Sequence, residues 1–152
     1  MAAKKPSGLD RRKVVAALLA ERGDALIVTG LGSPTYDTFA AGDHDLNFYL
    51  WGGMGGAAMA GLGLALAQPK RRVLVITGDG EMLMGLGALA TIAVEAPKNL
   101  AIARPEALAR DGAVFARYVA AVEAFCASRS PSGPRPERPS SRSWASGSST
   151  RS

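Results

Sequence analysis

Two spacings of apolar residues alternate along most of the chain. Short, mainly apolar runs, which are typical of strands, occupy residues 25–29, 47–50, 73–77 and 100–103. Segments with helical spacing lie around and between them, and helices are predicted after Asp10 and at residues 34–39, 55–67 and 82–95. Asp10 is predicted to cap the first helix and Gly23 to end it. Strands that alternate with helices predict an α/β fold, a doubly wound parallel sheet with flanking helices.

The strand predicted at residues 73–77 ends in a glycine turn, Gly78-Asp79-Gly80-Glu81. In a parallel α/β sheet, ligands bind at the carboxyl ends of the strands. Glycines let the backbone approach a phosphate closely, and the start of a helix offers unpaired N–H groups. Asp79 is a hard oxygen ligand suited to Mg²⁺, although an Asp at this place can also cap the next helix. This turn therefore predicts a site for a metal-bound diphosphate.

A second glycine turn, Gly52-Gly53-Met54-Gly55-Gly56, precedes the first along the chain. With the motifs GGMGGA and GDGEMLM in this order, the chain resembles the diphosphate-binding (C-terminal TPP-binding) domain of thiamine diphosphate enzymes. It is most similar to the beta subunit of the sulfopyruvate and phosphonopyruvate decarboxylase group. The resemblance covers residues 8–103, about two thirds of the chain, and implies thiamine diphosphate and Mg²⁺ as cofactors.

The resemblance also implies roles for the residues of both turns. Asp79 would bind Mg²⁺, and the backbone around Gly78, Gly80 and Glu81 would hold the diphosphate. The side chain of Glu81 is expected in solvent.

Met54 would lie beneath the cofactor and hold its two rings in a bent shape, with Gly55 completing the turn. The carbonyl of Gly52 or Gly53 would accept a hydrogen bond from the aminopyrimidine. Without the resemblance, Met54 would be read as a core methionine.

Two other positions have less specific signals. Ser33 and Thr35 follow a predicted strand, so they are either helix caps or contacts to the phosphate, as in the resembled family. His44, the one histidine, lies in a polar loop and is predicted to be solvated rather than catalytic. The sequence Gly85 to Ala90 matches G-x-G-x-x-A, but it does not follow a predicted strand, as a dinucleotide site requires.

Charge and composition exclude several classes of protein. The net charge is +5, but residues 128–152 carry five Arg and one Glu, which leaves +1 for the rest. No basic stripe with interleaved aromatics is present, so no nucleic-acid partner is expected. The single cysteine, Cys126, excludes an intramolecular disulfide, and a cytoplasmic location is expected.

One segment has the length and charge pattern of a membrane span. Residues 48–67 contain no charged side chain and are followed by Lys70-Arg71-Arg72. Their many glycines are explained equally well by a buried helix packed closely against a sheet. We therefore expect no membrane partner, and a small membrane-associated protein remains the second alternative.

The chain departs from the resembled family after Ala103. That family has a second metal ligand, usually Asn, after the strand that follows the GDG helix, but here the strand leads to Arg104-Pro105. Asn99 is at the start of that strand, roughly 13 Å from its far end.

Residues beyond 103 are therefore interpreted as non-homologous, through truncation or a frameshift, which the other reading frames of the coding DNA would test. The predicted organisation is a flexible N-terminus (1–8), an incomplete thiamine diphosphate-binding domain (9–103), a helix (104–127) and a disordered Ser/Arg/Pro-rich tail (128–152).

The sequence indicates the thiamine diphosphate- and Mg²⁺-binding subunit of a decarboxylase that acts on a small anionic 2-keto acid. In the resembled family, the glutamate that activates the cofactor lies on a pyrimidine-binding domain, and this chain is too short to contain both domains. Activity is therefore expected only with a pyrimidine-binding, alpha-type partner subunit, in a homo- or hetero-oligomer. The first alternative is a truncated, inactive protein of the same fold.

Overall fold

Parallel strands and helices alternate through the described residues, 9–108 and 112–127, of the computed structural model. The strands are β1 (Leu26–Thr29), β2 (Asn47–Tyr49), β3 (Val73–Ile76) and β4 (Leu100–Ala103). The helices are α1 (Arg11–Ala20), α2 (Ser33–Ala40), α3 (Ala57–Ala67), α4 (Asp79–Met84), α5 (Gly87–Glu95), α6 (Pro105–Leu108) and α7 (Gly112–Ala127). Asp10 caps α1, as predicted, because its side chain accepts the Arg12 N–H at 2.9 Å.

The four strands form one parallel sheet in the order β2-β1-β3-β4. Thr29 of β1 pairs with Tyr49 of β2 and with Ile76 of β3, which in turn pairs with Ala103 of β4. The carboxyl ends of all four strands are therefore level along one edge. The predicted fold class, a doubly wound parallel α/β sheet, is confirmed.

Helices cover both faces of the sheet, which explains why β3 is an unbroken apolar run. On one face, Leu74 and Ile76 pack in a cluster with α1. On the other face, Val73 and Val75 pack in a cluster with α3. Every residue of β3 is buried, so this strand is the centre of the core.

Helix α3 lies unusually close to the sheet because it carries glycine at the point of contact. A Cβ atom on Gly61 would lie 2.2 Å from Cγ2 of Val75. Residues 48–67 thus contain the end of β2, a glycine turn and the 11-residue α3 instead of one long helix. Among the described residues, no helix is both long and apolar enough to cross a membrane.

Two glycines of α3 provide a matched test of this close packing. Gly61→Ala is expected to lower the free energy of unfolding by about 1–3 kcal/mol, because the new methyl group overlaps Val75. Gly63→Ala is expected to raise it by up to about 1 kcal/mol, because no atom lies within 4 Å of the new Cβ and alanine favours the helix. Urea unfolding of both variants measures the difference. Equal changes in the free energy of unfolding would contradict close packing of Gly61 against Val75.

Two predicted helices are wrong in their extent. The helix predicted at residues 82–95 begins earlier, at Asp79, and is divided into α4 and α5 at Gly85 and Leu86. The helix predicted after Ala103 is likewise two helices, α6 and α7. Helix α7 is joined to the sheet by Tyr118, whose hydroxyl group donates to the carbonyl of Ile102 at 2.8 Å. Burial raises the pKa of Tyr118 to about 12.

Three predictions fall on residues that the structure does not describe. The flexible N-terminus at residues 1–8 and the disordered tail at residues 128–152 both lie outside the described residues, as do residues 109–111 within the last predicted helix.

Candidate functional site

The candidate site lies along the edge of the sheet where the four strands end. Backbone hydrogen bonds hold these ends together: the N–H of Gly30 donates to Ile76 at 2.8 Å, and that of Thr77 donates to Ala103 at 3.0 Å. The glycine turn at residues 52–56 follows β2, and Gly78 follows β3. Four loops that are distant in sequence are thereby brought to one edge.

The glycine turn at residues 52–56 packs along α4, the helix that begins in the second glycine turn, with Gly55 at its end and Met54 at its start. A Cβ atom on Gly85, at the end of α4, would lie only 2.1 Å from the carbonyl oxygen of Gly55. Gly55 itself has a φ of +86°, which L side chains rarely adopt. Cε of Met54 lies 3.7 Å from where a Cβ on Gly80 would be. The turn that bears the methionine and the turn that bears the aspartate are therefore one unit.

Met54 is half exposed rather than a core residue, with 49% of its surface accessible. Its side chain lies over Gly80, which has no side chain that could fill the space between the turns. Gly52 has a φ of +87°, and the carbonyl of Gly53 accepts the N–H of Gly56 at 2.9 Å. The Gly53 carbonyl is thus already bonded within the turn, and the predicted roles of Gly52, Gly53 and Met54 toward a cofactor stay predictions.

Asp79 is the first residue of α4 and is partly exposed. Its Oδ1 atom lies 3.6 Å from Nη1 of Arg104, the residue that directly follows β4. The N–H of Met82 donates to the carbonyl of Gly78 at 2.9 Å, which is the first hydrogen bond of the helix. The N–H groups of Gly80 and Glu81 precede it and have no acceptor within the helix.

The residues at this edge fit the two parts of a metal–diphosphate group unequally. Gly80 leaves room for a diphosphate, since beyond its own helix and chain neighbours only Cε of Met54, among the described residues, lies within 4 Å of a Cβ placed on it. The donor set for Mg²⁺ is poor: no three His, Cys, Asp or Glu side chains of the described residues are grouped so that they could hold a metal ion. At the end of β4 the side chain beside Asp79 is a guanidinium group, which cannot be a metal ligand.

Glu81 corrects one of the sequence-based expectations. Its side chain is not solvated but 3% exposed. One carboxylate oxygen accepts the N–H of Ala57 at 3.1 Å, and the other accepts the hydroxyl group of Thr77. The carboxylate also fills the space beside Gly30, where any Cβ would overlap it. Glu81 therefore joins the ends of β1 and β3 to the start of α3.

Ser33 and Thr35 are placed differently by the fold. Ser33 is the first residue of α2 and is partly exposed, and no side chain caps this helix. Thr35 is buried, and its hydroxyl group donates to the carbonyl of Gly30 at 2.8 Å. A phosphate contact stays a prediction for Ser33, whereas the hydroxyl group of Thr35 holds the loop after β1.

His44 and Asn99 both lie at the opposite edge of the sheet. His44 is exposed, and its Nδ1 atom accepts the N–H of Leu46 at 3.0 Å, in agreement with a solvated loop histidine. It borders a surface depression of about 330 Å³ that contains none of the glycine turns.

The side chain of Asn99 donates to the carbonyls of Ala65, Gln68 and Arg71 at 2.8–3.1 Å. The Asn99 side chain thus binds carbonyl groups at and just after the carboxyl end of α3. It is remote from Asp79, as expected.

Sequence reasoning missed three features of the site. The first is the buried position of Glu81, for which the absent side chain of Gly30 is the physical cause. The second is the contact of Arg104 with Asp79, which the position of Arg104 directly after β4 could have indicated. The edge-to-face pair of Tyr36 and Trp51 beside the glycine turn was also not anticipated; the ring centroids are 5.5 Å apart.

The chain is similar to known decarboxylases over part of its length. It is 42% identical over 94 residues to sulfopyruvate decarboxylase subunit beta of Methanothermobacter thermautotrophicus. These residues are 62% of this chain and 50% of the relative. It is 46% identical over 92 residues to sulfopyruvate decarboxylase of Methanosarcina acetivorans, 60% of this chain and 24% of the relative. Phosphonopyruvate decarboxylase of Streptomyces viridochromogenes is 48% identical over 77 residues, 51% of this chain and 19% of the relative.

The chain therefore spans half or less of the length of these relatives. A family model, described as the thiamine pyrophosphate enzyme C-terminal TPP binding domain, matches residues 32–103. This match contains both glycine turns and all strands except β1, and it stops at the last residue of β4. The predicted resemblance to C-terminal thiamine pyrophosphate-binding domains is thus confirmed for residues 32–103.

Proposed function

We propose that this chain supplies the diphosphate-binding part of a thiamine diphosphate-dependent decarboxylase that acts on a small anionic 2-keto acid. The observation that carries the proposal is the contact between the turn of Met54 and the turn of Asp79 at the carboxyl edge of the sheet. The relatives named as sulfopyruvate and phosphonopyruvate decarboxylases support the class of reaction. When bound, thiamine diphosphate is the electron sink that allows a 2-keto acid to lose CO₂.

The chain's own residues would bind and orient the cofactor. Backbone N–H groups of Gly80 and Glu81 would donate to the diphosphate, and the absent side chains of Gly78 and Gly80 would allow its close approach. Met54 would pack beneath the rings, and its half-exposed position leaves its side chain accessible. Ser33, the first residue of α2, would also contact the diphosphate.

Mg²⁺ enters the proposal in a limited form. Asp79 is its one proposed side-chain ligand, so oxygen atoms of the diphosphate and water would complete the coordination. With Asp79 as the one side-chain ligand, we expect Mg²⁺ to bind more weakly than in a site with two such ligands.

A partner subunit is also part of the proposal. Three relatives are named as beta subunits, which implies that they have a partner. Next to the site, Leu83 is 71% and Met84 is 69% exposed, and Leu86 is exposed as well. An apolar surface of this kind is typical of a protein interface. We propose that it contacts an alpha-type, pyrimidine-binding subunit in a reducing cytoplasm, and that the isolated chain is catalytically silent.

Calorimetric titration tests the cofactor site, and reconstitution tests the activity. The full chain is titrated with thiamine diphosphate with and without Mg²⁺, and saturable binding is expected. It is then mixed with a candidate pyrimidine-binding subunit, and CO₂ release from sulfopyruvate and phosphonopyruvate is measured. Absence of any cofactor binding in both conditions would overturn the proposed function.

A second candidate function is a catalytically inactive protein that retains the binding fold. It is favoured by the end of the family match at Ala103 and by the single carboxylate at the metal position. In this case residues 9–103 are an incomplete domain and residues 104–127 are of separate origin. Cofactor binding without activity in any reconstituted complex would support this candidate over the first.

A further inference from the structure

We propose that Arg104 supplies the positive charge at the diphosphate site, so that the chain binds a diphosphate group without a divalent metal ion. The inference rests on the proposed function, since it concerns the same site. It replaces the expectation that Mg²⁺ is required there.

The carboxyl edge of the sheet has few positive charges in its loops. Among the described residues, the loops that leave the strands are 30–32, 50–56, 77–78 and 104, and Arg104 is the one Lys or Arg in them. The helix that follows the third loop adds two carboxyl groups, Asp79 and Glu81. A diphosphate at this edge therefore needs a cation beside these acids. Arg104 is the cation that the described loops provide.

The backbone of Arg104 is fixed by β4 before it and by α6 after it. The preceding residue, Ala103, is fully buried and pairs with Ile76 at the end of β3. The carbonyl of Arg104 accepts the N–H groups of Ala107 and Leu108, each at 3.1 Å, so Arg104 also begins α6. Its backbone is thus held on both sides. The guanidinium group reaches Asp79, the residue between the two glycines of the GDG turn.

The guanidinium group of Arg104 forms an ion pair with Asp79. The atoms Nη1 and Oδ1 are 3.6 Å apart, and the side chains are 46% and 37% exposed. At 3.6 Å the contact is longer than a hydrogen bond, so Arg104 breaks no hydrogen bond with Asp79 when it turns toward a phosphate. A guanidinium group binds phosphate with two parallel hydrogen bonds, which makes it well suited to this exchange. Asp79 then positions the guanidinium group of Arg104 when no ligand is bound.

The two explanations of the site predict opposite effects of metal removal. If Mg²⁺ is the required cation, a chelator abolishes diphosphate binding and Asp79 is essential. If Arg104 is the cation, binding persists in the chelator. Replacement of Asp79 by asparagine then removes a repulsive charge and strengthens binding.

The experiment is calorimetric titration of the full chain with inorganic pyrophosphate and with thiamine diphosphate, in EDTA and in Mg²⁺. We expect the wild-type chain to bind both ligands in EDTA. Arg104→Gln should weaken binding in EDTA by about tenfold or more, and Arg104→Lys by less, because it keeps the charge but loses the planar fork. Asp79→Asn should bind in EDTA as tightly as the wild type or more tightly.

Lys98→Gln is the matched control, because Lys98 is the exposed cation that precedes β4 at the opposite edge of the sheet. It changes the net charge as Arg104→Gln does, so it should leave the affinity within about twofold of the wild type if the effect is local. Circular dichroism spectra check that all variants are folded.

Three results would overturn the inference. If wild-type binding disappears in EDTA and returns with Mg²⁺, while Arg104→Gln binds normally in Mg²⁺, the cation is the metal ion and the proposed function stands. If Lys98→Gln weakens binding as much as Arg104→Gln, the effect is one of net charge. If the wild type binds neither ligand in any condition, the proposed function fails together with this inference.

Discussion

Replacement of Gly85 by alanine is expected to push the glycine turn at residues 52–56 away from α4 and to remove most of the affinity for thiamine diphosphate. The new Cβ would lie 2.1 Å from the carbonyl oxygen of Gly55 and 2.9 Å from its carbonyl carbon. Both atoms belong to the backbone, so a side-chain rotation cannot relieve the overlap. We expect at least about a tenfold loss of affinity, because the proposed cofactor contacts one turn through its diphosphate and the other through its rings. The free energy of unfolding should fall by about 1–3 kcal/mol.

Gly87→Ala is the matched control for this prediction. Gly87 is the first residue of α5, two positions along the chain, and nothing lies within 4 Å of a Cβ placed on it. The control should bind thiamine diphosphate as the wild type does, with unchanged or slightly increased stability. Calorimetric titration and urea unfolding give both quantities. If the Gly85 variant binds normally, contact between the turns is not needed for the site.

Glu81→Ala is expected to cause the largest loss of stability among single substitutions at the site. The substitution leaves the buried N–H of Ala57 and the hydroxyl group of Thr77 without their acceptor. A buried polar group without a partner costs about 1–3 kcal/mol, so the loss should be about 2–5 kcal/mol. Chemical unfolding followed by circular dichroism measures it. The loss should appear without any ligand, because the role of Glu81 is to join elements of the fold.

Two other variants separate this role from a general effect of removing an acid. Glu81→Gln keeps an acceptor for Ala57 and an amide group for Thr77, so it should lose no more than about 1.5 kcal/mol. Glu95→Ala removes an exposed carboxyl group at the end of α5 and should change stability by less than about 0.5 kcal/mol. A Glu81→Ala variant as stable as the Glu95→Ala variant would show that the buried hydrogen bonds are unimportant.

The strands and the glycine turns at their carboxyl ends were predictable because they depend on local patterns. The apolar run at β3 and the glycines that follow it specify a buried strand and a turn within a few residues. Asp10 capped its helix as expected, since a cap depends on the next two or three residues. The meeting of the turns of Met54 and Asp79 followed from the rule that parallel strands bring their carboxyl ends together.

What the sequence did not reveal depends on contacts between distant segments. The break between α4 and α5 lies where Gly85 touches Gly55, and nothing near Gly85 in sequence indicates that contact. Glu81 is buried because Gly30, in another loop, has no side chain. The pairing of Arg104 with Asp79 depends on the register of β3 with β4. Each of these features requires the assembled sheet before it can be seen.

The strand order also couples ligand binding to folding. Since β3 lies between β1 and β4, the loops of the site reach one another only after strands that are far apart in sequence have paired. A fragment that contains one glycine turn should therefore bind no diphosphate. A ligand that bridges the loops binds the native state alone, and it raises the melting temperature in proportion to the logarithm of its concentration above Kd. Thermal denaturation in the presence of candidate ligands thus becomes a direct screen for what this chain recognises.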